Sequence, residues 1–486
     1  VKATLQKWLP ANSFARGVAV LSGGTVGAQL LLLLAAPILT RLYSPEDFGI
    51  LAVFIAILGI LGIIASLRYE LAIPIAEDNE TALNVVALCL LITLGMATLT
   101  ALLVWLAGNW FANLLNISEV FTYFWLLPVG VLLIGIYQTF NYWATREKAF
   151  GRISQTKLTQ SVSSLLIQFS CFKLGPLGLI AGYIMGQFVG SLKLANSALE
   201  SADRKSLSFK KMQSAAGRFR RFPQFTTWAG LLNTSGHQIT PLILISFFGA
   251  GVAGWYALAN RVVSMPANLL GSAIGNVFFA HAADAHRANR LAELVENVQI
   301  KLIAISLPIA VFIFLVGPDL FVLMFGLDWR IAGEFAQWLI LSSFVGFLIS
   351  SLSLIFPVLE QQKLGLSLQI VLFILKISGL MIGVMAENYL LAVILYAIGG
   401  AVGYSGYIVA ICTIAGASMV KFLKKLFLTA TISILIYLPV LLTGSGQFGE
   451  ALRITGYSIC IVLIATYYLL LLKTSLMKKY NDKTYI

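Results

Sequence analysis

The chain has 486 residues, of which 59% are hydrophobic and only 11% charged, with a mean hydropathy of +0.89. Soluble domains run at roughly 45–50% apolar and about 25% charged, so a cytosolic enzyme, a disulfide-stapled secreted domain and a disordered scaffold are excluded. A polytopic membrane protein remains. The formal charge of +13 reads as a topological signal rather than as a nucleic-acid footprint, because cytoplasmic loops of membrane proteins collect Lys and Arg. Cys89, Cys171, Cys412 and Cys460 lie in apolar runs without CxxC spacing and are expected to be small buried hydrophobes, with no metal site. No cleavable signal is expected, since the first apolar run exceeds signal-peptide length.

Taken in chain order, apolar segments of spanning length fall near 17–40, 48–72, 82–108, 120–143, 157–175, 177–198, 224–247, 251–279, 297–317, 332–357, 365–385, 389–415, 422–443 and 452–472. These predict an all-α protein with about fourteen transmembrane helices, since uninterrupted apolar runs favour helices over barrel strands. Placing both termini on one side puts 27 Lys and Arg there and four on the other: Arg41, Lys173, Arg330 and Arg453. Both ends are therefore expected to be cytoplasmic.

Seven basic residues between Arg204 and Arg221 mark a cytoplasmic linker over 199–223. It separates two six-helix lobes, 1–198 and 224–415, leaving two additional helices and a basic tail over 416–486. The lobes read as a parallel repeat about an axis along the membrane normal. Ser44-Pro45-Glu46-Asp47-Phe48-Gly49 corresponds to Gly249-Ala250-Gly251-Val252-Ala253-Gly254, and Arg146 to Gly151 corresponds to Glu360 to Gly365.

Polar groups inside spans are the informative residues, because a charge at mid-bilayer costs about 2.5–3.5 kcal/mol even on the lenient scale. Arg261 and Lys376 sit too far from a span end to snorkel. Helical spacing places Thr226, Asn233 and His237 on one face of the seventh span, and Asn260, Arg261, Ser264 and Asn268 along the eighth. Ser22, Thr25 and Gln29 share a register in the first. A water-filled cleft lined by these stripes is the economical account, against the plainer one in which such stripes only join helices. Arg68 and Glu70, near the inner end of the second span, are expected to pair with each other.

Gly249-x-Gly251-x-x-Gly254 fits a dinucleotide pattern but follows a membrane span, so it reads as a tight turn. Ser154-x-x-Lys157 and Ser208-x-x-Lys211 match a hydrolase spacing without partner motifs and are placed in basic loops. No catalytic residue is expected, and no GxxxxGK[ST] appears.

Three stretches carry a family resemblance: Thr40 to Gly49, Ser66-Leu67-Arg68-Tyr69-Glu70-Leu71-Ala72-Ile73, and Asn141-Tyr142-Trp143-Ala144-Thr145-Arg146 through Phe150. They resemble the Wzx-type oligosaccharide flippases (polysaccharide and O-antigen transporters) of the MOP superfamily, relatives of MATE exporters and of the lipid II flippase MurJ. The resemblance is strong in the first half and looser over residues 1–415. It implies a transporter of the bacterial inner membrane, not an enzyme. Such a transporter would move an undecaprenyl-diphosphate-linked oligosaccharide to the periplasmic leaflet by alternating access of two lobes around a cationic cavity. The cavity set then comprises Arg261, Lys376, Arg68, Gln29, Thr25, Asn233, His237, Asn260 and Asn268, with Arg41 and Glu70 for gating or coupling. No cofactor is implied beyond an H+ or Na+ gradient. Partners would be the lipid-linked oligosaccharide, the bilayer, and the polymerase and chain-length regulator of the same pathway, with no nucleic acid. The alternatives are a MATE-like drug or cation antiporter, which should favour carboxylates in the cleft, and a membrane-embedded polymerase or ligase, which should need a large external loop.

Overall fold

In the computed structural model, residues 13–114, 116–201, 207–267, 271–444, 456, 459–460, 462–471 and 473 are described. Among them the chain is helical, with no strand. Ten helical stretches are long and apolar enough to cross a membrane by length and composition, where the sequence reading expects about fourteen helices. The helix over the expected fifth span is too polar, the expected seventh is represented by the shorter apolar helix Gln238–Phe248, and the expected eighth is covered by helices of 17 and 16 residues. Of the fourteenth only short stretches are described, chiefly the apolar helix Val462–Leu471.

The chain packs into two compact units. The first takes residues up to Val262 together with Phe321–Ala332; the second takes Val263–Leu320 and everything from Gly333 onward. The six-helix lobes are a division by internal repeat, distinct from this division by packing, and they stay a proposal.

The first unit is built on α1 (Ser13–Leu42), α2 (Pro45–Ile64), α3 (Asn79–Leu114), α4 (Leu127–Arg146), α5 (Phe150–Ser170), α6 (Pro176–Ser201), α7 (Phe209–Arg218), α8 (Thr227–Phe248) and most of α9 (Ala250–Pro266). Ser44 starts α2 with a capping box: its hydroxyl accepts from the Asp47 N–H at 3.2 Å, and Asp47 Oδ2 accepts from the Ser44 N–H at 2.9 Å. Pro45 takes the first helical position, where its missing N–H costs nothing. Arg146 closes α4: its Nη1 donates to the carbonyls of Ile73 at 3.1 Å and Ala76 at 2.6 Å. Lys148 then adopts a left-handed φ of 56°. Its N–H bonds the Thr145 carbonyl and the Ala149 N–H bonds Ala144, the Schellman pattern that ends one helix and aims the next. The matching left-handed residue of the second half is Glu360, two residues before the position that the sequence match pairs with Lys148.

The two segments matched in the sequence as repeats touch each other at one end of this unit. A Cβ on Gly49 would stand 1.8 Å from the Ala250 carbonyl oxygen, and one on Gly254 would stand 1.8 Å from that of Pro45. Repeat-related residues thus meet reciprocally, as across a two-fold interface, and only glycine lets the backbones approach so closely. The segment Phe321–Ala332 closes over this crossing. Trp329 is fully buried, donates Nε1–H to the Thr40 carbonyl at 3.0 Å and meets Phe48 edge-on at 5.0 Å.

The second unit contains α10 (Ser272–Arg287), α11 (Leu291–Phe325, up to Leu320), α12 (Arg330–Leu352, from Gly333), α13 (Gln362–Met385), α14 (Tyr389–Ala415) and α15 (Met419–Gly444). Its largest core gathers Leu302, Ile303, Phe347, Leu348, Leu372 and Tyr407. The later helices dock on α11 through hydroxyls: Tyr437 donates to the Pro308 carbonyl at 2.8 Å and Tyr467 to that of Ala304 at 3.0 Å. Of the span expected over 251–279, the described residues give α9 as far as Pro266 and α10 from Ser272, and residues 268–270 lie outside the described residues. Cys89, Cys412 and Cys460 are buried and all four cysteines are free, as their apolar settings imply.

Candidate functional site

The first unit holds a charged pair where its apolar core should be continuous. After α2, Leu67 and Arg68 both take left-handed backbone, with φ of 51° and 62°. Two such non-glycine residues in succession are costly and persist only where the surroundings hold them. The turn sends Glu70 into a fully buried position and leaves the Arg68 side chain 21% exposed. Arg68 Nη1 lies 3.6 Å from Glu70 Oε1, and the Ser66 hydroxyl donates to Glu70 Oε2. The expected pairing of Arg68 with Glu70 is therefore present. It is incomplete: Glu70 Oε1 and Arg68 Nε are buried without a hydrogen-bond partner among the described residues.

Arg68 also reaches α8, where a Cβ at Gly230 would stand 2.9 Å from its Nη2. Gly230 lies one turn before Asn233 on the same helical face, so the structure brings together Arg68 and the α8 stripe. Asn233 is exposed, as are Asn260 and Arg261 on α9. Arg261 forms no ion pair with any described residue. Thr25 and Gln29 are half-buried on α1, and Arg41 is exposed in the last turn of that helix. Asn268 and the side chain of His237 lie outside the described residues.

Lys376 belongs to the second unit and is half-buried on α13. Its Nζ lies 4.4 Å from the ring centre of Tyr396 and 5.9 Å from that of Tyr404, both on α14. A cation over an aromatic face is held by the ring quadrupole.

One cation was misplaced by the sequence reading. Lys157, expected in a basic loop together with Ser154, lies two turns inside α5, because that helix begins at Phe150. It is half-buried, with Nζ 4.9 Å from the ring centre of Tyr137 on α4. The signal was available: the Arg146–Lys148 turn ends α4, and a helix restarting there carries Lys157 inward. Of the other pair placed in a loop, Ser208 takes the N-cap position of the short helix α7 and Lys211 lies in its first turn. Lys211 and Arg218 pair with Glu80 and Glu77 and bind α7 to the start of α3. No group of three or more His, Cys, Asp or Glu residues that could hold a metal occurs among the described residues.

Comparison with known proteins agrees with this architecture. Residues 38–333, more than half the chain, match the family described as polysaccharide biosynthesis protein. The lipopolysaccharide biosynthesis protein WzxC of Escherichia coli (strain K12) is 24% identical over 248 residues, 50% of this chain and 49% of that protein. The succinoglycan biosynthesis transport protein ExoT of Rhizobium meliloti (strain 1021) is 25% identical over 319 residues, 64% of this chain and 61% of that one. The matched stretches thus span about half to three-fifths of these relatives. In fold, the chain is similar to the lipid II flippase MurJ in an inward closed conformation, with a TM-score of 0.71, 13% identity, and coverage of 94% of this chain and 100% of that one. It is also similar to an inward-facing multidrug resistance MATE family transporter of the MOP superfamily, with a TM-score of 0.64, 16% identity, and coverage of 80% and 94%. The chain is a multi-pass helical protein with the MOP fold, and it belongs to the polysaccharide biosynthesis protein family.

Proposed function

We propose that this protein is a flippase for an undecaprenyl-diphosphate-linked oligosaccharide, moving it from the cytoplasmic to the periplasmic leaflet of the bacterial inner membrane by alternating access, with both termini cytoplasmic. The observation that carries the reading is Arg261. It is an exposed guanidinium eleven residues into α9, about 16 Å along the axis, with no ion pair to a described residue. A cation at such a depth needs a water-filled surface or an anionic partner. The planar fork of arginine matches two oxygens of a diphosphate at once. Asn233 and Asn260 are exposed amides on the two helices α8 and α9, suited to glycan hydroxyls, and Thr25 and Gln29 extend the polar set. His237, Asn268 and Lys376 complete the proposed substrate contacts. Names among the relatives support the reading, since ExoT is a transport protein and MurJ a flippase.

Glu70 and Arg41 are the proposed coupling and gating residues. A carboxyl group with one unpartnered oxygen beside an arginine has the chemistry to exchange a proton as its surroundings change. A cation antiporter fits less well: it needs a carboxylate open to its cargo, and Glu70 is fully buried. The polymerase and chain-length regulator of the pathway are the natural neighbours of such a flippase.

The test is Arg261→Ala in cells. Surface polysaccharide should be lost while the protein still reaches the membrane in normal amount. Normal polysaccharide with normal membrane levels of the variant would remove Arg261 from the site.

A further inference from the structure

Most of the polarity of α5 is accounted for by packing. Gln160, Ser164 and Gln168 recur one turn apart and meet a glycine ridge on α6, where a Cβ at Gly190 would stand 2.3 Å from Gln160 Nε2 and one at Gly182 would stand 2.5 Å from Gln168 Cγ. Ser154 is pressed in the same way against Gly24 of α1. Small residues and short polar side chains of this kind join helices closely. Lys157 is not explained by this packing. It lies on the same helix about 10 Å from its start, yet it is turned toward Tyr137 on α4.

A lysine ammonium carries three N–H donors and no acceptor, and a ring face satisfies only part of that capacity. No described carboxylate pairs with Lys157. Arg68, another cation of the same unit, has Glu70 as its counter-charge at 3.6 Å. The Tyr137 hydroxyl is buried without a hydrogen-bond partner among the described residues, so a second donor stands unused on the ring that holds the ammonium. Two unspent donor groups with no negative charge to answer them match the oxygens of a phosphate.

We propose that Lys157 and Tyr137 form an anion-binding point in the first unit, distinct from Arg261, that takes phosphate oxygens of a diphosphate. The site rests on the flippase reading only for the source of that diphosphate, a lipid-linked one rather than a free one. The phenol and ammonium together favour a diphosphate over the uncharged lipid alcohol.

The test uses the purified full chain in nanodiscs of uncharged lipid, with inorganic pyrophosphate, undecaprenyl diphosphate and undecaprenol as separate probes. Lys157→Gln should weaken binding of both diphosphates about tenfold, the scale of one charge-assisted hydrogen bond. Lys157→Arg should stay within about threefold of wild type, and Tyr137→Phe, which keeps the ring, should lose about threefold. Undecaprenol binding should not change. Lys157→Met keeps the stem over the ring and carries the same test if the glutamine variant fails to fold. A purely structural lysine would move the unfolding midpoint and leave diphosphate affinity at its wild-type value. Flipping of lipid-linked oligosaccharide by the wild-type chain is measured in parallel. Absence of flipping with Lys157-dependent pyrophosphate binding defeats the flippase reading and leaves this site standing. Unchanged diphosphate affinity in a folded Lys157 variant, or no pyrophosphate binding by wild type, overturns the site.

Discussion

Lys157 in the first unit and Lys376 in the second are half-buried lysines that lie over aromatic rings and pair with no carboxylate among the described residues, and the two are held differently. In the second unit, Lys376 lies over two tyrosines of the neighbouring helix. In the first, Lys157 lies over one, and that tyrosine has a hydroxyl to spare. The first unit also buries a carboxylate, Glu70, answered by Arg68 at 3.6 Å. Aromatic faces retain a cation without changing its sign, whereas a carboxylate neutralises it. The difference separates three roles: Lys376 is mainly anchored, Arg68 is mainly paired, and Lys157 and Arg261 keep donors available.

Breaking the carboxylate side of this comparison should have the largest effect. Arg68→Ala leaves Glu70 buried without its counter-charge and should destabilise the protein by about 3 kcal/mol. Adding Glu70→Gln should recover most of that loss in unfolding measured in detergent. Failure of the double variant to recover would mean that Arg68 acts through its contact with α8 at Gly230 instead. In the second unit, Tyr396→Leu keeps an apolar neighbour while removing the nearer ring. It should cost about 1–2 kcal/mol, and Lys376→Met should suppress that cost in a double-mutant cycle. Additive effects would show that the ring does not hold the ammonium. The smallest effect belongs to the crossing that joins the repeats. Trp329→Phe keeps the ring against Phe48 and removes the bond to the Thr40 carbonyl, a loss of about 1 kcal/mol in thermal unfolding. No measurable shift would mean that the indole N–H contributes nothing there.

Much of this architecture is legible in the chain itself. The Ser44–Gly49 turn announces a capped helix, and it packs closely on the Gly249–Gly254 segment that resembles it, Gly49 on Ala250 and Gly254 on Pro45. The pairing of Arg68 with Glu70 follows from spacing and from the cost of burying either alone. Hydropathy misplaced the start of α5, because a helix whose polar face meets a glycine ridge looks like a loop when averaged over a window. That is why Lys157 was placed among loop residues. Trp329 lies 289 residues from Thr40, and no local pattern relates the two.

As a flippase, the protein is proposed to carry a diphosphate-linked glycan across the bilayer by means of Arg261. Purified protein in liposomes, supplied with a defined undecaprenyl-diphosphate-linked oligosaccharide, tests it most directly, with transfer between leaflets read by the accessibility of the glycan. The expected result is transfer by wild type and its loss with Arg261→Ala in protein that remains folded and inserted. Transfer at the wild-type rate by that variant, or none by wild type with or without an imposed ion gradient, would contradict it.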